Sequence, residues 1–143
     1  MNNVGPIRDK NKIQDVKLYL KGKNLRSYTM FIVGINVALR ITDLLSLKWS
    51  DVLKENKKTF KDIEIFEGKT NKHRKIKLNK SATKALKELI ENIPYINIDD
   101  FIFKSREGEN KPITRQQALN ILKEAAISVG VEENIGTHSL RYL

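Results

Sequence analysis

The sequence predicts a mostly helical α+β domain with one small antiparallel sheet. Apolar residues recur at helical spacing through most of the 143-residue chain. The period then changes to two around Ile63 and Ile65, and again at Ile76 and Leu78. The length fits one domain with room for a core. Lys and Arg total 27 against 17 Asp and Glu, a formal net charge of +10. That excess predicts a polyanionic partner, usually nucleic acid.

Residues 1–8 read as an N-terminal arm without periodicity. Over residues 9–20, Ile13, Val16 and Leu20 fall on one helical face with lysines elsewhere, and Gly22 reads as the stop. In the next helix Tyr28, Ile32, Ile35 and Leu39 step by three or four, and Phe31, Val33, Val37 and Ala38 make it apolar on nearly every side. It is the expected central buried helix, and it should deliver Arg40. Thr42 reads as the N-cap of a short helix through Leu47, with Asp43 at its positive end. Residues 48–53 read as a strand or an extended entry to one, with Trp49 a core anchor rather than a base-stacking platform.

Ile63 and Ile65 alternate with Asp62 and Glu64, and Ile76 and Leu78 with Lys75 and Lys77. A hairpin joined by Gly-Lys-Thr-Asn-Lys-His follows. Between Gly68 and Lys80 stand Lys69, Lys72, Arg74, Lys75, Lys77 and Lys80 with no acid. A solvated face that discourages edge-to-edge pairing would look the same. Ser81 reads as the cap of a helix to about Asn92, burying Leu86, Leu89, Ile90 and Ile93, with Pro94 barring extension. Phe101-Ile102-Phe103 reads as a buried strand fragment and residues 105–112 as a polar loop. Thr114 and Gln117 form a capping-box pattern ahead of a helix burying Ala118, Ile121, Leu122, Ala125 and Val129, with Gly130 as terminator.

Two places carry candidate chemistry. Arg40 is a permanent charge at the edge of an apolar passage, and its fork of donors suits a phosphate or carboxylate. Asp43 could steady that fork, or the two could merely fasten helices together. Near the other end, Thr137 can cap a helix on which His138 and Arg141 share a face. An imidazole beside a fixed cation suits the grip on a phosphoryl group, though any helix surface can carry such a pair.

With both places in view, the chain resembles the catalytic domain of the tyrosine recombinases of the phage integrase family. Ala-Leu-Arg-Ile-Thr-Asp-Leu-Leu-Ser-Leu-Lys-Trp-Ser-Asp resembles the family's first box, with a catalytic arginine at Arg40 and a supporting acid at Asp43. Gly-Lys-Thr-Asn-Lys-His-Arg-Lys-Ile-Lys-Leu resembles the hairpin that carries the catalytic lysine, here Lys69. Thr-His-Ser-Leu-Arg resembles the second box, at His138 and Arg141. The resemblance runs from about Asp9 to the last residue and implies the DNA breaking-rejoining enzyme fold.

It also implies a chemistry. A tyrosine attacks a DNA phosphate, forms a 3′-phosphotyrosyl link and frees a 5′-hydroxyl, without a metal or other cofactor. The two arginines stabilise the transition state, and losing one such donor costs about two to three orders of magnitude in rate. Lys69 would protonate the departing oxygen and His138 would assist proton transfer. Lys72, Arg74, Lys75 and Lys77 are the expected DNA-phosphate contacts. The family nucleophile lies several tens of residues beyond the second box, and none of Tyr19, Tyr28, Tyr95 and Tyr142 stands there. The expectation is therefore a partial catalytic domain over residues 9–143 that lacks its nucleophile and does not cleave DNA unaided.

The expected partner is double-stranded DNA, with self-association on it; the full-length family forms a tetrameric synapse. A non-catalytic basic DNA-binding module is the alternative. An RNA-binding protein is a third reading, but the chain shows no recognisable RNA motif. There is no cysteine, which removes disulfides and thiolate metal sites, and two histidines make no structural zinc centre. No apolar run reaches the length of a membrane span. A cytoplasmic, nucleoid-associated protein of bacterial or phage origin is expected.

Overall fold

The computed structural model describes residues 10–67 and 72–131. Its elements are α1 (Lys10–Lys23), α2 (Leu25–Asn36), α3 (Ile41–Leu45), α4 (Trp49–Val52), β1 (Ile63–Glu67), β2 (Lys72–Ile76), α5 (Lys80–Glu91) and α6 (Arg115–Ser128). Mostly helix with one two-stranded antiparallel sheet is thus the observed class.

α2 is the central helix. Seven residues from Ser27 to Gly34 are buried, and Phe31 and Val33 have no exposed surface. The buried Thr29 hydroxyl donates to the Leu25 carbonyl at 2.8 Å, which removes the cost of an unpaired polar group. α5 and α1 pack on α2, and α6 packs on α1 and α3.

Several boundaries differ from the sequence reading. Gly22 does not stop α1, which runs one residue further to Lys23. Asn24 takes extended angles there, and its side chain accepts from the Ser27 N–H to start α2. A single residue both ends one helix and caps the next.

α2 does not reach Arg40. Val37 is extended (φ −124°, ψ 129°), and the chain then alternates. Val37, Leu39 and Ile41 are buried, while Ala38, Arg40 and Thr42 are exposed. That period of two lies directly behind a helical pattern, so apolar spacing alone extends the helix too far. Arg40, not Thr42, is the residue ahead of α3, and its side chain makes no cap. Within residues 48–53 only Lys48 and Leu53 are extended, each making a single bridge, while Trp49–Val52 form α4, with Asp51 Oδ2 folding back to accept the Lys48 N–H at 2.8 Å. Trp49 is 2% exposed and anchors the core.

The hairpin pairs Ile63 with Ile76 and Glu67 with Lys72. Lys72 and His73, expected in the loop, belong to β2, and Leu78 lies beyond it. The Leu78 N–H donates instead to Asp62 Oδ1 at 3.0 Å. α5 is capped by Asn79 rather than Ser81, Asn79 accepting from the Ala82 N–H at 2.9 Å. Phe101 makes only a single bridge, to Lys48, while Ile102 and Phe103 are buried in a turn. Thr114 and Gln117 form the capping box of α6. Gly130 (φ 79°) ends that helix, with its N–H on the Ile127 carbonyl and the Val131 N–H on the Ala126 carbonyl.

Candidate active site and nucleic-acid interface

Arg40 is presented by its neighbours. Leu39 (4% exposed) and Ile41 (7%) are both sunk in the core, so the intervening side chain must point outward. Its backbone carbonyl accepts the Leu44 N–H at 2.9 Å and so opens α3. Among the described residues, the guanidinium makes no ion pair or hydrogen bond, to Asp43 or to any other side chain. Asp43 sits in the first turn of α3, half-buried, where a carboxylate is favoured by the helix dipole.

Two contacts brace the segment that carries Arg40. Arg74 Nη2, from β2, donates to the Ala38 carbonyl at 3.2 Å. Asn79 Nδ2 donates to Asn36 Oδ1 at 3.2 Å, joining the start of α5 to the end of α2. The hairpin thus holds the segment at Ala38, and α5 holds the end of α2 that leads into it. The sequence offers no signal for the Asn36–Asn79 clasp beyond two amides at helix ends.

The cations of the hairpin do not share a face. Strand alternation puts Arg74 on the side of Ile76, Ile63 and Ile65 and sends Lys75 to the other, opposite Glu64 in register. Lys75 lines a hollow of about 390 Å³ with Lys61 and the three acids Asp51, Asp62 and Glu64. His73 lies 3.6 Å from Glu64 on that same face. Lys72 occupies the first position of β2, and Lys77 is exposed just past its end. Lys69, His138, Arg141 and Tyr142 lie outside the described residues. Tyr19 donates to Glu124 at 3.1 Å, Tyr28 lies under Lys21, and Tyr95 is exposed. Among the described residues no group of His, Cys, Asp and Glu could hold a metal ion, and no helix is long and apolar enough to cross a membrane.

The model of the family described as Phage integrase family matches residues 9–143. The chain belongs to the phage integrase family. Among curated relatives, a probable integrase/recombinase YoeC of Bacillus subtilis is 46% identical over 141 residues, which cover 99% of this chain and 72% of that protein. Tyrosine recombinase XerD of Listeria monocytogenes is 34% identical over 125 residues, covering 82% of this chain and 39% of its own length. Solved structures share the fold at low identity. XerA recombinase superposes with a TM-score of 0.75 at 16% identity, over 98% of this chain and 49% of that one. Lambda integrase (residues 75-356) bound to DNA gives 0.66 at 14%, over 99% of this chain and 49% of that one. The chain thus spans about half the length of these two solved chains.

Proposed function

We propose that this domain holds a DNA backbone phosphate at Arg40 and belongs to a strand-breaking and rejoining site of the tyrosine recombinase kind. The observation that carries this is the Arg40 side chain, exposed, carried on a backbone segment that Arg74 braces at Ala38, and without an anionic partner among the described residues. A fixed cation on a rigid mount is suited to a phosphate whose charge grows in the transition state. Family membership supports the reading, as do the neighbours XerH, solved bound to its difH substrate, and lambda integrase, solved bound to DNA.

In this reading Arg141 is the second cation on the same phosphate. Lys69, on the hairpin, protonates the departing 5′-oxygen, and His138 relays a proton. Asp43 tunes the field behind Arg40, and Lys72, Arg74 and Lys77 contact flanking phosphates. Copies of the domain assemble on double-stranded DNA. The protein would then act in the cytoplasm, at the nucleoid.

Side-chain NMR tests the central part. On saturation with duplex DNA, the Arg40 Nε–Hε resonance should shift while exposed arginines outside the proposed phosphate contacts, such as Arg115, stay in place. An Arg40 resonance unmoved by saturating duplex would overturn the reading.

A further inference from the structure

A hollow with cationic walls lies at the other end of α2, about 18 Å of helix away from the Arg40 end. It encloses about 220 Å³ between α1, the start of α2 and α6. Two guanidiniums, Arg26 and Arg106, face it, and Tyr19, Leu20 and Ile121 give it apolar walls. Arg26 is half-buried. Its Nη1 donates to the Lys104 carbonyl at 2.6 Å, but its Nε is buried with no hydrogen-bond partner. Burial, and then the charge of Arg106, lower the Arg26 pKa from its ordinary value.

The acids nearby do not answer these charges. Glu124 on the rim is taken by Lys23 and by the Tyr19 hydroxyl. Glu107 lines an adjoining hollow that shares Arg26 and Arg106, yet it forms no ion pair with either among the described residues. Arg106 itself has no hydrogen bond or ion pair among the described residues. Arg26 and Arg106 are like charges beside one hollow, and an anion seated there would offset their repulsion.

We infer that this hollow is an oxyanion site, accepting a carboxylate or phosphate group carried on an apolar moiety, separate from the DNA contact at Arg40. The guanidinium forks match either oxyanion. Leu20, Ile121 and the Tyr19 ring match the carrier.

Three probes test it, namely phenyl phosphate, phenylacetate and inorganic phosphate, each titrated into the whole chain and read at the Arg26 Nε–Hε resonance and by calorimetry. At least one phenyl anion should bind and move that resonance, and whichever binds tighter identifies the oxyanion. Arg106→Gln, at an exposed loop position, should weaken it by about ten- to a hundredfold, whereas Arg40→Ala should leave it unchanged. The proposal is overturned if neither phenyl anion moves Arg26 Nε, if Arg106→Gln binds as tightly, or if inorganic phosphate binds equally well.

Discussion

Arg74 Nη2 donates to the carbonyl oxygen of Ala38 at 3.2 Å, tying the second hairpin strand to the residue two before Arg40. The contact uses an arginine that charge counting assigns to DNA. Its donor is spent, at least in part, on the protein's own backbone. Replacing Arg74 with Ala should loosen the mount more than the fold. Amide hydrogen exchange at residues 38–41 should quicken, while global stability falls by only about 0.5–1.5 kcal/mol. Arg74→Lys should not restore protection, because an ammonium lacks the planar reach of the guanidinium. Unchanged exchange in both variants would show that the hairpin does not brace this segment.

Leu39 and Ile41 are the buried pair that aims Arg40. Leu39→Ala should cost about 2–5 kcal/mol in chemical denaturation, the range for a buried leucine. It should also weaken duplex binding under conditions where the variant is fully folded. Full stability would mean that Leu39 is not packed as described.

Asn79 does two jobs, capping α5 through the Ala82 N–H and reaching Asn36 at the end of α2. Thr114 caps α6 alone. Thr114→Ala should cost about 1 kcal/mol, and Asn79→Ala should cost more. Equal losses by denaturant titration would reduce Asn79 to an ordinary cap.

These residues also mark where the sequence could be read and where it could not. α2, α5 and α6 were legible because only a helix gathers residues three and four apart into one continuous apolar face, and the box of Thr114 with Gln117 announced its helix directly. The segment from Val37 to Thr42 was not, because its alternating burial continues an apolar run without a break in composition. Residues 48–53 looked extended because the fold-back of Asp51 onto Lys48 depends on a three-residue geometry that apolar spacing does not record. Within the site, Arg40 stood out as a charge at the end of a greasy passage. The facing of the hairpin cations did not, since a count of lysines says nothing about the pleat that separates Arg74 from Lys75. Arg26 and Arg106 come together only through the tertiary fold and follow no motif.

Lys75 offers a check on that separation. It faces Glu64 and shares its hollow with Asp51 and Asp62. Lys75→Ala should therefore change duplex affinity by less than about twofold, since acids lining the same hollow make that face a poor match for a polyanion. Lys77→Ala, at an exposed position, should cost more. The reverse order, measured by fluorescence anisotropy, would place the DNA on the Lys75 face.

The central claim is that Arg40 holds a DNA phosphate. The most direct measurement is the dependence of duplex binding on salt, compared between the native chain and Arg40→Ala. Because Arg40 is exposed, the substitution should alter stability by no more than about 0.5 kcal/mol. The slope of log affinity against log salt should be steep for the native chain and shallower by about one for the variant. Identical slopes in the two proteins, or no salt dependence in either, would contradict the account.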